Sequence, residues 1–169
     1  GVTVSISHAV GAKKHTLVEK TIGNTITLFA CISIISTLLL LIFVKPLVVL
    51  LNVPQEAISG TIQYLIICFI GIPFITAYNI ISSIYRGLGD SKSPMYIIAI
   101  ACLLNIVLDY LFIGLFHMGP IGAALGTTVS QSVSVIIALI SMKYRTSDIH
   151  IKKEDLHLQP QVFKQILKV

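Results

Sequence analysis

The chain has 169 residues, of which 55% are hydrophobic and only 11% charged, with a mean hydropathy of +0.92 and a formal net charge of +5. A water-soluble domain carries roughly 25% charged residues, and a disordered tail combines low hydrophobicity with high charge. Both are excluded, and a membrane protein is left.

In chain order, VTVSISHAVGAKK comes first and reads as the end of a membrane span running into a basic loop. No basic stretch, short apolar run and small-residue cleavage site follow one another here, so the segment is not a signal peptide. A helix needs about 20 mostly apolar residues to cross about 30 Å of hydrocarbon. Four segments meet that requirement, at about 22–44, 61–85, 94–116 and 121–142. Lys45-Pro46 and a second apolar patch, LVVLLNV, follow the first of them. The connections at 45–60, 86–93 and 117–120 are short, so neighbouring spans run antiparallel and successive loops alternate sides. From Lys143 onward the chain turns polar and basic. Leu156, Leu158, Val162, Phe163, Ile166 and Leu167 include helical spacings interleaved with Lys, which predicts an amphipathic surface segment leading into another span. The sequence starts at Gly1 and stops within the apolar pattern FKQILKV, and so reads as a piece of a longer chain.

Charge sets the expected orientation. Lys13, Lys14, Lys20, Arg86, Lys92, Lys143, Arg145, Lys152, Lys153, Lys164 and Lys168 fall on one side, and Lys45 alone falls on the other. Cytoplasmic loops hold the excess of Lys and Arg. The 86–93 loop and the C-terminal segment are therefore expected in the cytoplasm, and the 45–60 and 117–120 loops outside. A nucleic-acid partner would need a basic exposed face with stacking aromatics, and the pattern has neither. Cys31, Cys68 and Cys102 each lie inside an apolar run, at spacings that match no zinc or redox motif. Trp is absent, so an interfacial aromatic belt must come from Tyr.

YRGLGDSKSPM is the most structured signal. Gly87 and Gly89 permit the angles of a tight turn. Ser93 is expected to cap the next helix, with Pro94 in its first position. Asp90 sits at the positive end of that helix dipole, and Arg86 and Lys92 at the headgroups. Pro73 interrupts the hydrogen-bond ladder of the second span and predicts a kink, either static or used in gating. Gly122, Gly126, Ser130, Ser134 and Ala138 recur every four residues on the fourth span, a spacing that lets two helix backbones approach closely. Thr127, Thr128 and Gln131 lie close to this stripe.

NIVLDY, inside the third span, poses the chemical question. Asn105 and Asp109 are four residues apart and share a helix face. Asp109 lies about 6 Å further along the axis at 1.5 Å per residue. Placing Asp at a helix centre costs about 2.5–3.5 kcal/mol, so such residues face a bundle interior or a wet cavity. Two structural roles compete with a functional one. Asp109 can pair with a cation on another helix, although no Lys or Arg lies inside the four spans, or it can be a protonated acid bonded to Asn105. The functional reading is an ion or proton site. A sodium ion there would take oxygens from the Asp109 carboxylate, the Asn105 amide and a Thr on the next helix.

RGLGDSKSPM, then NIVLDY in the following helix, then GPIGAALGTTVSQ, together with the early VSISHAVGAKK, resemble the multidrug and toxic compound extrusion (MATE) transporters along essentially the whole chain. The resemblance implies an all-α membrane protein, an antiparallel bundle of four complete spans plus the end of one, forming part of a twelve-helix transporter. Residues 1–145 would be a partial N-terminal bundle, from late helix two to helix six. Residues 146–169 would be the cytoplasmic linker to the second half of the same transporter. It further implies a sodium- or proton-coupled antiporter of small cationic organic substrates, without an enzymatic cofactor. Asn105 and Asp109 would be its helix-five ion pair and Thr127 its helix-six partner, with Thr128 the alternative for that role. The helix-one Asp of the family's site has no counterpart here. Pro73, Arg86, Gly87, Gly89, Asp90 and Pro94 would be gating or structural positions, and Gly122, Gly126 and Ser130 packing positions. Two other functions fit this architecture. One is a flippase of lipid-linked sugars, which would need basic residues inside the cavity. The other is an assembly subunit with no transport cycle. An enzyme would need paired acids, a His cluster or a nucleophile at membrane depth, and none is placed there.

Overall fold

The computed structural model describes residues 2–145, 157, 159–162 and 164, and every regular element among them is helical. The elements are α1 (Val2–Gly11), α2 (His15–Ile42), α3 (Val44–Leu50), a 3-10 turn (Gln55–Ala57), α4 (Ile58–Gly87), α5 (Lys92–Asp109), a π-helical turn (Tyr110–Leu115) and α6 (Pro120–Arg145). Four stretches are long and apolar enough to cross a bilayer: His15–Ile42, Gln55–Gly87, Lys92–Leu115 and Pro120–Tyr144. The helices outrun the apolar segments read from sequence, because hydropathy marks only the lipid-buried part. HTLVEKT, for example, extends α2 upstream of Ile22 as a polar helical turn. The expected 45–60 loop is largely helical, made of α3, the 3-10 turn and the start of α4.

α6 lies against both α4 and α5, α2 lies along α4, and α1 fills the angle between α2 and α4. Two apolar clusters hold this arrangement. Ile6 and Ala9 of α1 meet Val18 and Ile22 of α2 and Ile84 of α4. Tyr78, Ile81 and Tyr85 of α4 meet Ile97 of α5 and Val135 and Ala138 of α6. The two tyrosines also tie α4 to its neighbours by their hydroxyls. Tyr78 donates to the Pro94 carbonyl at 2.8 Å, and Tyr85 to the Ser141 hydroxyl at 2.9 Å. Large apolar side chains elsewhere face outward, among them Ile35, Ile42, Leu103, Ile106 and Ile136. In water that surface would drive aggregation, whereas in lipid it needs no cover.

The 86–93 turn differs from the expectation in three details. Gly89 has the positive φ, +89°, but Gly87 is the last residue of α4 and serves as a point of close approach. A methyl group on Gly87 would lie 2.7 Å from Ile6 Cβ and 3.2 Å from the Thr3 carbonyl oxygen. The cap of α5 comes from Asp90, not Ser93. Asp90 Oδ1 accepts the Lys92 and Ser93 amides at 3.1 Å each, and the Ser93 hydroxyl donates to Asp90 Oδ2 at 2.6 Å. A carboxylate two residues outside the helix reaches those amides and also carries the charge that the dipole favours. With α5 starting at Lys92, Pro94 is the third helical residue rather than the first, still within the turn whose amides lack helical acceptors. Arg86 is exposed.

α4 runs unbroken through Pro73, which lines an apolar groove of about 250 Å³ with Ile26, Ala30, Ile80 and Leu139. The polar face of α2, including Thr21, Asn24 and Thr25, is buried. Asn24 is only 1% exposed; its amide donates to the Lys20 carbonyl at 2.8 Å, and its oxygen accepts the Gln159 amide at 2.7 Å. That bond joins the segment after α6 to α2, and Val162 of the same segment is also buried. The rest of the expected linker and its amphipathic pattern, at 146–156, 158, 163 and 165–169, lies outside the described residues.

Candidate cation site between α5 and α6

Helical phase brings Asn105 and Asp109 to one side of α5, and that side meets α6. The contact is made at Gly126. A methyl group built there would collide with Asp109 Oδ1 and lie 3.5 Å from Asn105 Nδ2. Only glycine lets the carboxylate lie against the α6 backbone. One turn away, a methyl group on Gly122 would lie 3.0 Å from Phe112 Cβ and 3.1 Å from the Phe112 carbonyl carbon. Gly126 is thus the close-approach point of α6 to Asp109, and Gly122 its close-approach point to Phe112. Ser130 and Ser134 continue the buried stripe, and their hydroxyls are turned onto the carbonyls of Thr127 and Gln131 at 2.9 and 2.7 Å.

Asp109 is the last α-helical residue before the chain widens into the π turn, where the Phe116 amide reaches back to Leu111 at 2.9 Å. Such turns occur often at functional sites. Nothing in the apolar pattern of Tyr110–Leu115 marks it, and the sequence reading continued a regular helix through it.

Asp109 Oδ1 and Asn105 Nδ2 are both buried, and neither has a hydrogen-bond partner among the described residues. They do not satisfy each other, so the acid–amide bond considered from sequence is absent. A buried acceptor without a donor costs about 1–3 kcal/mol, and more when it is charged. Rotation of the Asn105 amide about its last bond exchanges nitrogen for oxygen at the same point, a choice governed by whatever the amide faces. With the amide so turned, the pair presents oxygen atoms on one wall of α5, part of the kind of ligand set a hard cation takes.

The two threonines of α6 part company. Thr128 turns to α4, where its hydroxyl donates to the Ile67 carbonyl at 3.3 Å and sits over Gly71, whose missing side chain makes room for it. Thr127 is exposed on the adjoining face, one residue beyond Gly126. Pro73, Arg86, Gly87, Gly89, Asp90 and Pro94 take no part in this contact. Sequence reasoning placed Gly126 in the packing stripe but missed its position against the acid. Its signal was the lining up of an every-fourth-residue glycine on one helix with an every-fourth-residue polar pair on its neighbour.

A bundle of antiparallel apolar helices, four of them long and apolar enough to cross a bilayer, defines a multi-pass membrane protein, with the Asp109 side chain half-buried at its α5–α6 contact. A family model, MatE, matches residues 1–111. The chain is 28% identical over 173 residues to a probable multidrug resistance protein NorM of Thermotoga maritima, covering all of this chain and 37% of that protein. It is 48% identical over 90 residues to a probable multidrug resistance protein YpnP of Bacillus subtilis, covering 53% of this chain and 20% of that one. Among solved structures, an inward-facing multidrug resistance MATE family transporter of the MOP superfamily matches with a TM-score of 0.91 at 25% identity, over 99% of this chain and 38% of its own. An outward-facing structure so described matches at 0.89 with the same identity and coverage. The chain belongs to the MATE transporter family, and it spans between a fifth and two fifths of the length of these relatives.

Proposed function

We propose that this chain is the ion-coupling part of the N-terminal half of a sodium- or proton-driven efflux antiporter for small cationic organic compounds. Residues 1–145 form most of that half-bundle, and 146–169 link it to the second half in the cytoplasm. The single observation that carries the reading is the unpartnered Asp109–Asn105 pair buried against Gly126. A fixed negative charge at membrane depth is tolerated where a mobile positive charge periodically neutralises it. Asp109 holds that charge, Asn105 contributes its amide oxygen, and Thr127 supplies a hydroxyl from α6, Thr128 being engaged with α4. Binding and release of the cation then bias the transporter between its two orientations, in proportion to the difference in cation affinity between them. The 86–93 turn and the C-terminal segment face the cytoplasm, where the Lys and Arg excess lies.

Asp109→Asn keeps the shape of the side chain and removes its charge. In cells, the variant should reach the membrane at the wild-type level and fail to confer resistance to cationic dyes such as ethidium. Wild-type resistance would remove Asp109 from the coupling mechanism.

One comparison favours a second reading. The lipid II flippase MurJ of Thermosipho africanus is 39% identical over 83 residues, 49% of this chain. Flipping of a lipid-linked sugar predicts envelope defects without a change in dye sensitivity when the protein is lost.

A further inference from the structure

We infer that Gly126 is a positioning residue for the cation site: by lacking a side chain it fixes where the Asp109 carboxylate stands, and so sets the affinity of the site for its cation. The inference rests on the coupling role proposed for Asp109 and Asn105. Three observations converge on Gly126. It is buried between α5 and α6. The space its side chain would take is held by Asp109 Oδ1, with Asp109 Cγ and Asn105 Nδ2 both 3.5 Å away. Those same two polar atoms, Asp109 Oδ1 and Asn105 Nδ2, are among the buried side-chain atoms left without a partner among the described residues. Gly122 serves as an internal comparison. It is also closely packed one turn away, at 3.0–3.1 Å, but its neighbours are Phe112 and Met118, which carry no ligand atoms.

A methyl group at 126 displaces Asp109 Oδ1, the tip of a side chain that can rotate away, so the change falls on the position of the ligand atom rather than on the α5 backbone. Ion sites demand ligands held to within about 0.5 Å. The cost therefore falls on cation binding. A purely structural glycine, in contrast, would lower stability without moving the cation dependence.

The test uses the complete transporter in proteoliposomes, with ethidium efflux titrated against sodium at fixed pH and against pH without sodium. Gly126→Ala should raise the half-saturating concentration of the coupling cation at least tenfold, with the KM for ethidium unchanged. Gly122→Ala should lower thermal stability and leave the cation titration where it was. Asp109→Glu lengthens the acid by one methylene against the same wall and should give the Gly126→Ala shift from the α5 side. This keeps the test available if the alanine variant does not accumulate. An unshifted titration in Gly126→Ala, an equal shift in Gly122→Ala, or wild-type cation affinity in Asp109→Glu each overturns the positioning role. Loss of cation dependence in Asp109→Asn separates that failure from failure of the coupling role itself. If Asp109→Asn titrates like wild type, the coupling site lies elsewhere and the role of Gly126 falls with it.

Discussion

Single residues carry more of this bundle than its apolar composition suggests, and glycines carry the most. Gly87 ends α4 where α1 crosses it, and the Ser7 hydroxyl bonds the Gly87 carbonyl at 3.2 Å beside Ile6, which is fully buried. Gly87→Ala forces Ile6 and the α1 backbone away together. It should cost about 1–3 kcal/mol, the usual range for overpacking. Unfolding in detergent, followed by heat or denaturant, measures this, and a variant as stable as wild type would contradict the contact. The legibility of residues followed their chemistry. Asp109 and Asn105 were legible because charge in an apolar run is conspicuous at any resolution of reading. The cap role of Asp90 was misassigned to Ser93, since both can cap and only geometry decides which oxygen reaches the free amides. Spacing marks Gly126 as a packing position but not what it packs on: a small residue looks the same whether it faces a backbone or a carboxylate.

At the scale of elements, hydropathy located the spans and misplaced their ends. It reports transfer to lipid, whereas helix ends are set by hydrogen bonding and capping in the headgroup layer, where polar turns such as HTLVEKT remain helical. The π turn at Tyr110–Leu115 left no mark in composition, because it changes the hydrogen-bond register and not the side chains. α2 also shows what amphipathic reading overlooks in membranes. Its buried face is mixed, with Thr21, Asn24 and Thr25 inside beside Val18 and Ile22. Asn24 spends that position on the Gln159 amide. Asn24→Ala removes the acceptor and leaves a donor to open. The expected loss is about 1–3 kcal/mol of local stability, which corresponds to a 5- to 150-fold faster hydrogen exchange at the Gln159 amide. Unchanged exchange there would mean that the segment after α6 is held by other contacts.

At the scale of the whole molecule, the proposed orientation and the proposed cycle are linked. In the proposed orientation, argued from the eleven-to-one bias of Lys and Arg, the Asp90 turn faces the cytoplasm and the His117 turn the outside. Single cysteines at Lys92 and His117, both exposed, should react with an impermeant maleimide from opposite sides of intact cells: His117→Cys at once, Lys92→Cys only after permeabilisation. Reaction of both from outside would reverse or break that topology. Asp109, the last residue of α5, would in that orientation lie nearer the external end, against Gly126 of α6. The proposed transport cycle turns on this carboxylate carrying the driving cation. Proteoliposomes containing the complete transporter, with ethidium inside and an imposed sodium or proton gradient, test it most directly. Wild-type protein should expel the dye only when the gradient is present, and Asp109→Asn should leave it inside at equal protein density. Gradient-driven expulsion by Asp109→Asn at the wild-type rate would contradict the account.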